Sequence, residues 1–279
     1  MARESDVTNM AVFCDFENVA LGVRDANYEK FDIQKVLERL LLKGSIVVKK
    51  AYCDWERYKA FKAPMHEASF ELIEIPHVRQ SGKNSADIRM VVDALDLCYT
   101  KAHVDTFVII SGDSDFSPLV SKLRENNKTV IGVGVKSSTS DLLINNCDEF
   151  IYYDDLVREQ GTKRQPRRRA QGRGSQVAKE ERKADERAPE AEDDHSQEAF
   201  DLVLKTLEAL VAERGAEERI WGSMVKQALK RRKPGFNESY YGFRTFGKLL
   251  EEMQARNLLT LEQDEKSGGV ILKSFSAEA

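Results

Sequence analysis

The sequence predicts an α/β protein: a mainly parallel sheet with helices on both faces, followed by a small C-terminal winged helix-turn-helix domain. Three observations predict it. Strand-length apolar runs alternate with segments of helical period over residues 10–156. The first of those runs is apolar almost throughout, as a strand covered on both faces must be. After a charged stretch, three amphipathic segments precede a hairpin pattern.

Taken in order, "MAVFCDF" (10–16) is the first strand. "DIQKVLERLLLKG" (32–44) is a helix with Ile33, Val36, Leu37, Leu40 and Leu41 on one side, Asp32 as N-cap and Gly44 just past its end. "SIVVKKAYCDW" (45–55) is the second strand, and a helix near 56–68 leads to the third, "FELIEIPHV" (70–78). "SADIRMVVDALDLCYTK" (85–101) is a helix whose core side is predicted to carry Ile88, Val91, Val92 and Leu95. "TFVIISG" (106–112) is the most apolar strand. "SPLVSKLRENN" (117–127) follows as a helix with Ser117 as N-cap and Pro118 at its first position. "TVIGVGV" (129–135), a short helix through "SDLLINNC" and a strand "EFIYYDDL" (149–156) complete the first domain, residues 1–157.

Residues 158–195 change character: "KRQPRRRAQGRG" is basic with Pro and Gly, and "KEERKADERAPEAEDD" lacks large apolar side chains. Such a segment cannot bury enough surface to fold alone and is predicted to be a disordered linker. Folding resumes over 196–279. Phe200, Val203, Leu204, Leu207, Leu210 and Val211 form one stripe ended by Gly215; a short helix, "WGSMVKQALKRR", follows. Then come a turn and a third helix that turns Phe243, Phe246, Leu249, Leu250 and Met253 inward, and a hairpin with its turn near "DEKSGG".

Charged residues make up 32% and hydrophobic residues 41% of 279 positions, with a net charge of −4. That charge excludes polyanion binding by overall field, so nucleic-acid contact needs local basic surface. No apolar run approaches the roughly 18 residues that span a bilayer. The N-terminus has no signal-peptide layout, and Cys14, Cys53, Cys98 and Cys147 form no CxxC pair. Buried free thiols in a reducing, cytoplasmic setting are expected, with no membrane partner.

The chemistry concentrates at strand ends. Asp15 ends the first strand with Asn18 one turn on, Asp113 and Asp115 follow "TFVIISG", and Asp87 lies in the first turn of its helix. In open parallel sheets, sites form outside the carboxyl ends of the strands. Acids from distant segments gathered there are how Mg²⁺ or Mn²⁺ is held, with water and phosphate oxygens completing the shell. Such an ion would invert the repulsion between carboxylates and a phosphodiester and could generate hydroxide near neutral pH. Asn18 would orient water or phosphate, and Ser111 and Ser114 would fix the carboxylate rotamers from behind. Lys83 could meet a phosphate. Asp93, six positions beyond Asp87 and off its helical face, is at best a supporting group.

Each residue also has a plain structural reading. Asp87 suits a helix dipole, Asp115 a turn, and Asp15 with Asn18 an Asx-turn. Convergence on one sheet edge favours the site. His66, His77, His103 and His195 show no ligand spacing, and "GVGVKS" lacks the spacing of a phosphate loop. "DFEN" lacks the second Asp that a phosphatase acting through Asp15 would need.

"VFCDFENV", "KNSADIRMVVDAL", "VIISGDSDFSPLV" and "GVGVKSSTSDLLINNCDEFIYYDDL", in that order, resemble the NYN domain, a branch of the PIN-like nucleases, over about residues 10–156. The resemblance implies a PIN-like (Rossmannoid) fold and a metal-dependent endoribonuclease with Asp15, Asp87, Asp113 and Asp115 as acidic centre and Asn18 beside them. "SMVKQALKRRKPGFNESYYGFRTFGKLLEEM" followed by "GGVIL" resembles an OST-HTH, or LOTUS, domain. That likeness implies RNA binding or protein docking. Read from the residues, Lys226, Lys230, Arg231, Arg232, Lys233, Arg244 and Lys248 stand near Tyr240 and Tyr241, cations beside aromatic planes as contact with single-stranded or structured RNA requires. A basic run at a helix end also complements the dipole. Two rival readings stay open: a non-catalytic RNA-binding adaptor, and a DNA-directed flap-type nuclease, which usually needs more acids.

Overall fold

In β1, residues Asn9–Asp15, every residue after the first is buried. Alternate side chains enter two separate cores: Met10, Val12 and Cys14 one, Ala11 and Phe13 the other. That two-sided burial is why the run shows no polar alternation. The structure, a computed structural model, describes residues 8–75, 85–163, 188–214, 219–264 and 269–275. The chain divides into two compact units, Met1–Arg164 and Gln165–Ala279.

The first unit holds six parallel strands in the order β3-β2-β1-β4-β5-β6, where β2 is Ser45–Cys53, β3 Glu71–Glu74, β4 Thr106–Ile110, β5 Thr129–Gly134 and β6 Glu149–Tyr152. One face is covered by α1 (Phe16–Asp25), α2 (Ile33–Leu41), α3 (Lys59–Glu67) and α7 (Tyr153–Lys163). The other is covered by α4 (Ser85–Thr100), α5 (Ser117–Glu125) and α6 (Asp141–Asn146). Phe13 and Phe107 stack in the second core at 6.0 Å between centroids. Truncating either to Ala would cost about 3–5 kcal/mol. The sequence order runs outward from β1 to β3, then returns through α4 to β4 on β1's other side. The ends of β1 and β4 therefore lie side by side at the reversal of strand order, where open α/β sheets form their crevice.

The second unit packs α8 (Ala188–Arg214), α9 (Gly222–Arg232) and α10 (Phe246–Ala255) against a small antiparallel sheet, β7-β9-β8, of Ile220–Trp221, Val270–Phe275 and Leu259–Gln263. Phe200, Val203, Leu207, Leu229, Leu249 and Met253 form its core. Phe236 and Phe246 are buried, and Phe243 is half-buried against Phe200.

Several elements differ from the sequence expectation. The stretch after β1 is a full helix, α1, because Asp15 caps it and an apolar face (Phe16, Val19, Val23) meets the core. Residues 153–156, expected as strand, start α7; Asp154 and Asp155 in the first turn favour a helix N-terminus. Within the segment expected as linker, 158–195, α7 reaches Lys163 and α8 begins at Ala188. Residues 164–187, Gly215 and the hairpin turn at 265–268 lie outside the described residues. On α4 the buried stripe is Met90, Ala94 and Cys98, while Ile88 and Val92 are exposed. Gly44 keeps an ordinary φ; its role is close approach, since a Cβ there would lie 2.3 Å from the Thr8 carbonyl oxygen. Ser117 is inside α5 rather than its cap, the preceding 3₁₀ turn Ser114–Phe116 having taken over that end. The four cysteines are buried and free. No helix among the described residues is long and apolar enough to cross a membrane.

Candidate functional site

The site starts from Asp15, the last residue of β1, which is 8% exposed. Its Oδ1 accepts the Asn18 N–H at 3.4 Å, closing the N-terminus of α1, and its Oδ2 accepts from Ser111 Oγ at 3.0 Å. Ser111 lies just past β4, fully buried, and its Oγ in turn accepts the Asp113 N–H at 3.2 Å. Asn18 Oδ1 accepts the Gly112 N–H at 2.8 Å. Two hydrogen bonds thus tie the end of β1 to the end of β4, and a local one braces each end. Asn18, expected to orient water or phosphate, spends its carbonyl oxygen on Gly112 and keeps only its amide N–H groups for such a role.

Asp113 is half-buried and caps the 3₁₀ turn: its Oδ1 accepts the Asp115 N–H at 2.9 Å. Asp115 is exposed at the rim, and Asp87 reaches the same region half-buried from the first turn of α4. Gly112 makes the strand end compact. A Cβ there would stand 2.5 Å from the Ser138 carbonyl oxygen, and the Gly112 carbonyl accepts the Ser140 N–H at 2.9 Å.

The electrostatics record how close these acids are. Burial pushes the Asp15 carboxyl up to about 7, the Asp87 charge adds to this, Ser111 and Asn18 pull it back, and Asp113 adds again. Burial pushes Asp87 up to about 6, followed by the charges of Asp113, Asp115 and Glu17. Burial and then neighbouring charges of the same sign both disfavour the ionised form of a carboxyl. Burial raises the Cys14 thiol well above its ordinary range, with the Asp15 charge adding to it, so no thiolate nucleophile stands beside Asp15.

Other sequence candidates fall elsewhere. Asp93 is committed to a separate network: it accepts from Tyr52 Oη at 2.9 Å and Arg89 Nε at 3.0 Å, with Lys50 Nζ at 3.5 Å. Ser114 is half-buried in the 3₁₀ turn. Lys83 lies outside the described residues. Glu17, which sequence reasoning passed over, adds charge to Asp87 and pairs with Arg57 at 3.0 Å. The signal was its place between Asp15 and Asn18 in "DFEN".

In the second unit, Lys226 is held by Glu238 at 2.6 Å with its ammonium 5.9 Å from the Phe246 ring centre, and Arg232 donates to the Lys205 carbonyl at 3.1 Å. Lys248 pairs with Glu251, and Tyr241 is half-buried, stacked on Phe236. Arg231, Lys233 and Arg244 are exposed; Lys230 is half-buried at the end of α9.

A family model described as "NYN domain" matches residues 9–154. The chain belongs to the NYN domain family. Membership implies a PIN-like nuclease superfamily, and the match ends before the second unit. An uncharacterized protein of Methanocaldococcus jannaschii is 30% identical over 121 residues, 43% of this chain and 47% of that protein, so the chain spans about half the length of this curated relative. The crystal structure of a protein of unknown function from Vibrio parahaemolyticus is similar at 27% identity and a TM-score of 0.49, covering 55% of this chain and 98% of that one.

Whether the NYN residues suit a divalent ion can be judged from their chemistry. Among the described residues no three His, Cys, Asp or Glu side chains close on a point tightly enough to hold an ion alone. The donors are nevertheless all hard carboxylate oxygens, and burial, with neighbouring negative charge after it, raises two of them, Asp15 and Asp87. A loose set of carboxylates suits Mg²⁺ or Mn²⁺, which keep several waters and recruit substrate oxygens. The donor set fits.

Proposed function

We propose that this NYN protein is a metal-dependent endoribonuclease that hydrolyses RNA phosphodiester bonds, and that its second unit is an RNA-binding module of the OST-HTH, or LOTUS, type. The observation that carries the reading is the bond from Ser111 to Asp15 at the switch point of the sheet, which with the Asp113 N–H on Ser111 gathers acids from two strand ends, where burial and then the Asp87 charge raise the Asp15 carboxyl. Raised carboxyls gathered in one crevice mark a candidate functional site.

Asp15, Asp87, Asp113 and Asp115 would hold Mg²⁺ or Mn²⁺, which when bound supplies charge neutralisation and an acidified water for in-line attack on phosphorus. Asp15 is the fixed point, since Ser111 and the Asn18 N–H hold its two oxygens. Asp113 is tied to the same scaffold through its own N–H on Ser111. Asp115 and Asp87 frame the open side, where substrate approaches. Arg231, Lys233 and Arg244 on the second unit offer phosphate contacts that raise the local concentration of RNA near the acids.

The rival reading, a non-catalytic RNA-binding adaptor, draws on one observation: Asp15 and Asp113 both cap helical turns and so have work without an ion. Incubating the protein with labelled single-stranded RNA, structured RNA and DNA, in Mn²⁺, Mg²⁺ or EDTA, separates the two. Cleavage of RNA that requires metal and disappears in Asp113→Asn is expected, with DNA cut poorly. RNA retention without cleavage would establish the adaptor.

A further inference from the structure

Helix α4 carries Asp87 in its first turn, and the side that meets the sheet is built from Met90, Ala94 and Cys98. Its outward side, with Ile88 and Val92, is exposed. Small or flexible apolar side chains let a helix lie close to a sheet but specify its rotation and slide weakly. A turn of about 20° about the helix axis would swing a carboxylate by roughly 2 Å, enough to take Asp87 away from the other acids.

What fixes the helix is polar. Tyr52 is buried, and on β2 it stands opposite Asp15 in the parallel register, at the same level of the sheet as the first acid. Its hydroxyl donates to Asp93 Oδ2 at 2.9 Å. Arg89 Nε donates to the other carboxylate oxygen at 3.0 Å, and Lys50 Nζ stands 3.5 Å from Oδ2 and 3.6 Å from Glu71. The Asp93 side chain is only 12% exposed. Burial and then this bond raise the Tyr52 phenol well above its ordinary value, so it remains a donor. A buried charged network is a poor source of net stability, because well-packed apolar groups of the same volume serve as well or better. What it supplies is a single geometry, since the bond is made at one rotation of α4 and one position along it.

Resting on the metal-site reading above, we propose that Tyr52 and Asp93 are positioning residues for the acidic centre: their bond sets the rotation of α4 over the sheet and so holds Asp87 in place beside Asp15 and Asp113. Six positions separate Asp93 from Asp87, about 9 Å along the axis, so fixing one fixes the other. Asp93 is not itself a ligand, because both its oxygens are engaged. A fifth acid acting by its charge alone would not need the Tyr52 hydroxyl, and substitution separates the two roles.

The test uses the full chain and measures Mn²⁺ binding by calorimetry, which needs no substrate, beside cleavage of labelled RNA. Tyr52→Phe removes one hydroxyl and leaves Asp93 its two cations. It should weaken Mn²⁺ binding about tenfold and lower kcat about tenfold, with KM for RNA within about twofold of native. Its melting temperature should stay within about 4 °C of the native chain. Asp93→Leu should weaken Mn²⁺ binding as much. Asp93→Asn, whose carbonyl still accepts from Tyr52, should stay within about threefold of native. In an Asp87→Ala background Tyr52→Phe should change Mn²⁺ affinity no further, because the clamp acts through that one side chain. Native Mn²⁺ affinity and rate in Tyr52→Phe overturn the proposal and leave the nuclease standing. Additive losses in the double variant also overturn it, as does Asp93→Asn failing as badly as Asp93→Leu, which would make Asp93 act by charge. The expected Mn²⁺ pattern with no RNA cut by the native chain removes the nuclease and keeps the clamp. Should the native chain take up no Mn²⁺, crystal structures decide. Asp87 displaced by about 1 Å or more in Tyr52→Phe, with β1 and β4 unmoved, keeps the clamp, and an unmoved Asp87 overturns it.

Discussion

Ser111 Oγ donates to Asp15 Oδ2 at 3.0 Å across 96 positions of sequence, and both groups are buried. This bond counters the burial that raises the Asp15 carboxyl. Removing it in Ser111→Ala should raise that carboxyl further, so cleavage would need a higher pH to reach half-maximal rate. A shift of the acid limb of kcat/KM by about half a pH unit or more, with roughly tenfold lower activity, is expected. An unmoved acid limb would mean that Asp15 ionisation does not govern the reaction.

Asp15 also sets a stability slope. Its carboxyl stands at about 7 in the fold against an ordinary 3.8, so the folded state binds this proton more tightly than the unfolded state. The resulting stability is complete below pH 3.8 and is lost as pH rises through 7. Three pH units correspond to about 4 kcal/mol as an upper bound. Asp15→Asn carries no charge, and in EDTA its melting temperature should gain on the native chain from pH 4 to about pH 7 and level off above that. A constant difference across that range would refute the elevated carboxyl.

A cation should relieve the same strain. At neutral pH, Mn²⁺ at a hundred times its dissociation constant would stabilise the fold by about 2.7 kcal/mol. Calorimetry should show that gain in the native chain and its loss in Asp113→Asn. The gain should shrink towards pH 5.5, where Asp15 and Asp87, raised to about 7 and about 6, hold their protons. Equal stabilisation of native chain and variant would place the ion elsewhere.

Why so much of this centre was legible, and the rest not, follows from which interactions are local. Asp15 and Asp113 were readable because apolar runs mark strand ends and the topology forces those ends together, and Asp87 because it opens the helix that leads into β4. The partner of Asn18 was not: a backbone N–H, Gly112, carries no sequence label. The buried face of α4 was misread because Ile88 and Val92 look like core by hydropathy, whereas the tight approach to β1 admits Met90, Ala94 and Cys98. Helix α7 hid behind "EFIYYDDL", whose apolar half is strand and whose acidic half forms the first turn of a helix.

Gly112 offers a test of that hidden backbone. Its Cβ-less surface lets Ser138 and Thr139 cross close by, with backbone rather than flexible side chain at 2.5 Å. Gly112→Ala must displace that crossing or the strand end bearing Asp113. A loss of about 1–3 kcal/mol in denaturant unfolding is expected, with cleavage falling more than stability alone explains. Native-like stability would show that the loop yields freely.

The basic end of α9 can be judged by salt. Lys226, Arg232 and Lys248 already serve contacts within the unit, which leaves Arg231, Lys233 and Arg244 as its exposed cations from the sequence-derived set. Each contact with a single-stranded phosphate contributes about 0.7 to the slope of log K against log salt. Replacing Arg231 and Lys233 together by Gln should therefore flatten the slope by about 1.4 and weaken RNA binding at low salt more than at high. Replacing Lys226 by Gln should instead lower the melting temperature of the unit, since it strands Glu238, which is 13% exposed. If the Arg231 and Lys233 pair left the slope unchanged while Lys226→Gln altered it, the RNA path would run over the α9 face carrying Lys226 rather than past its C-terminus.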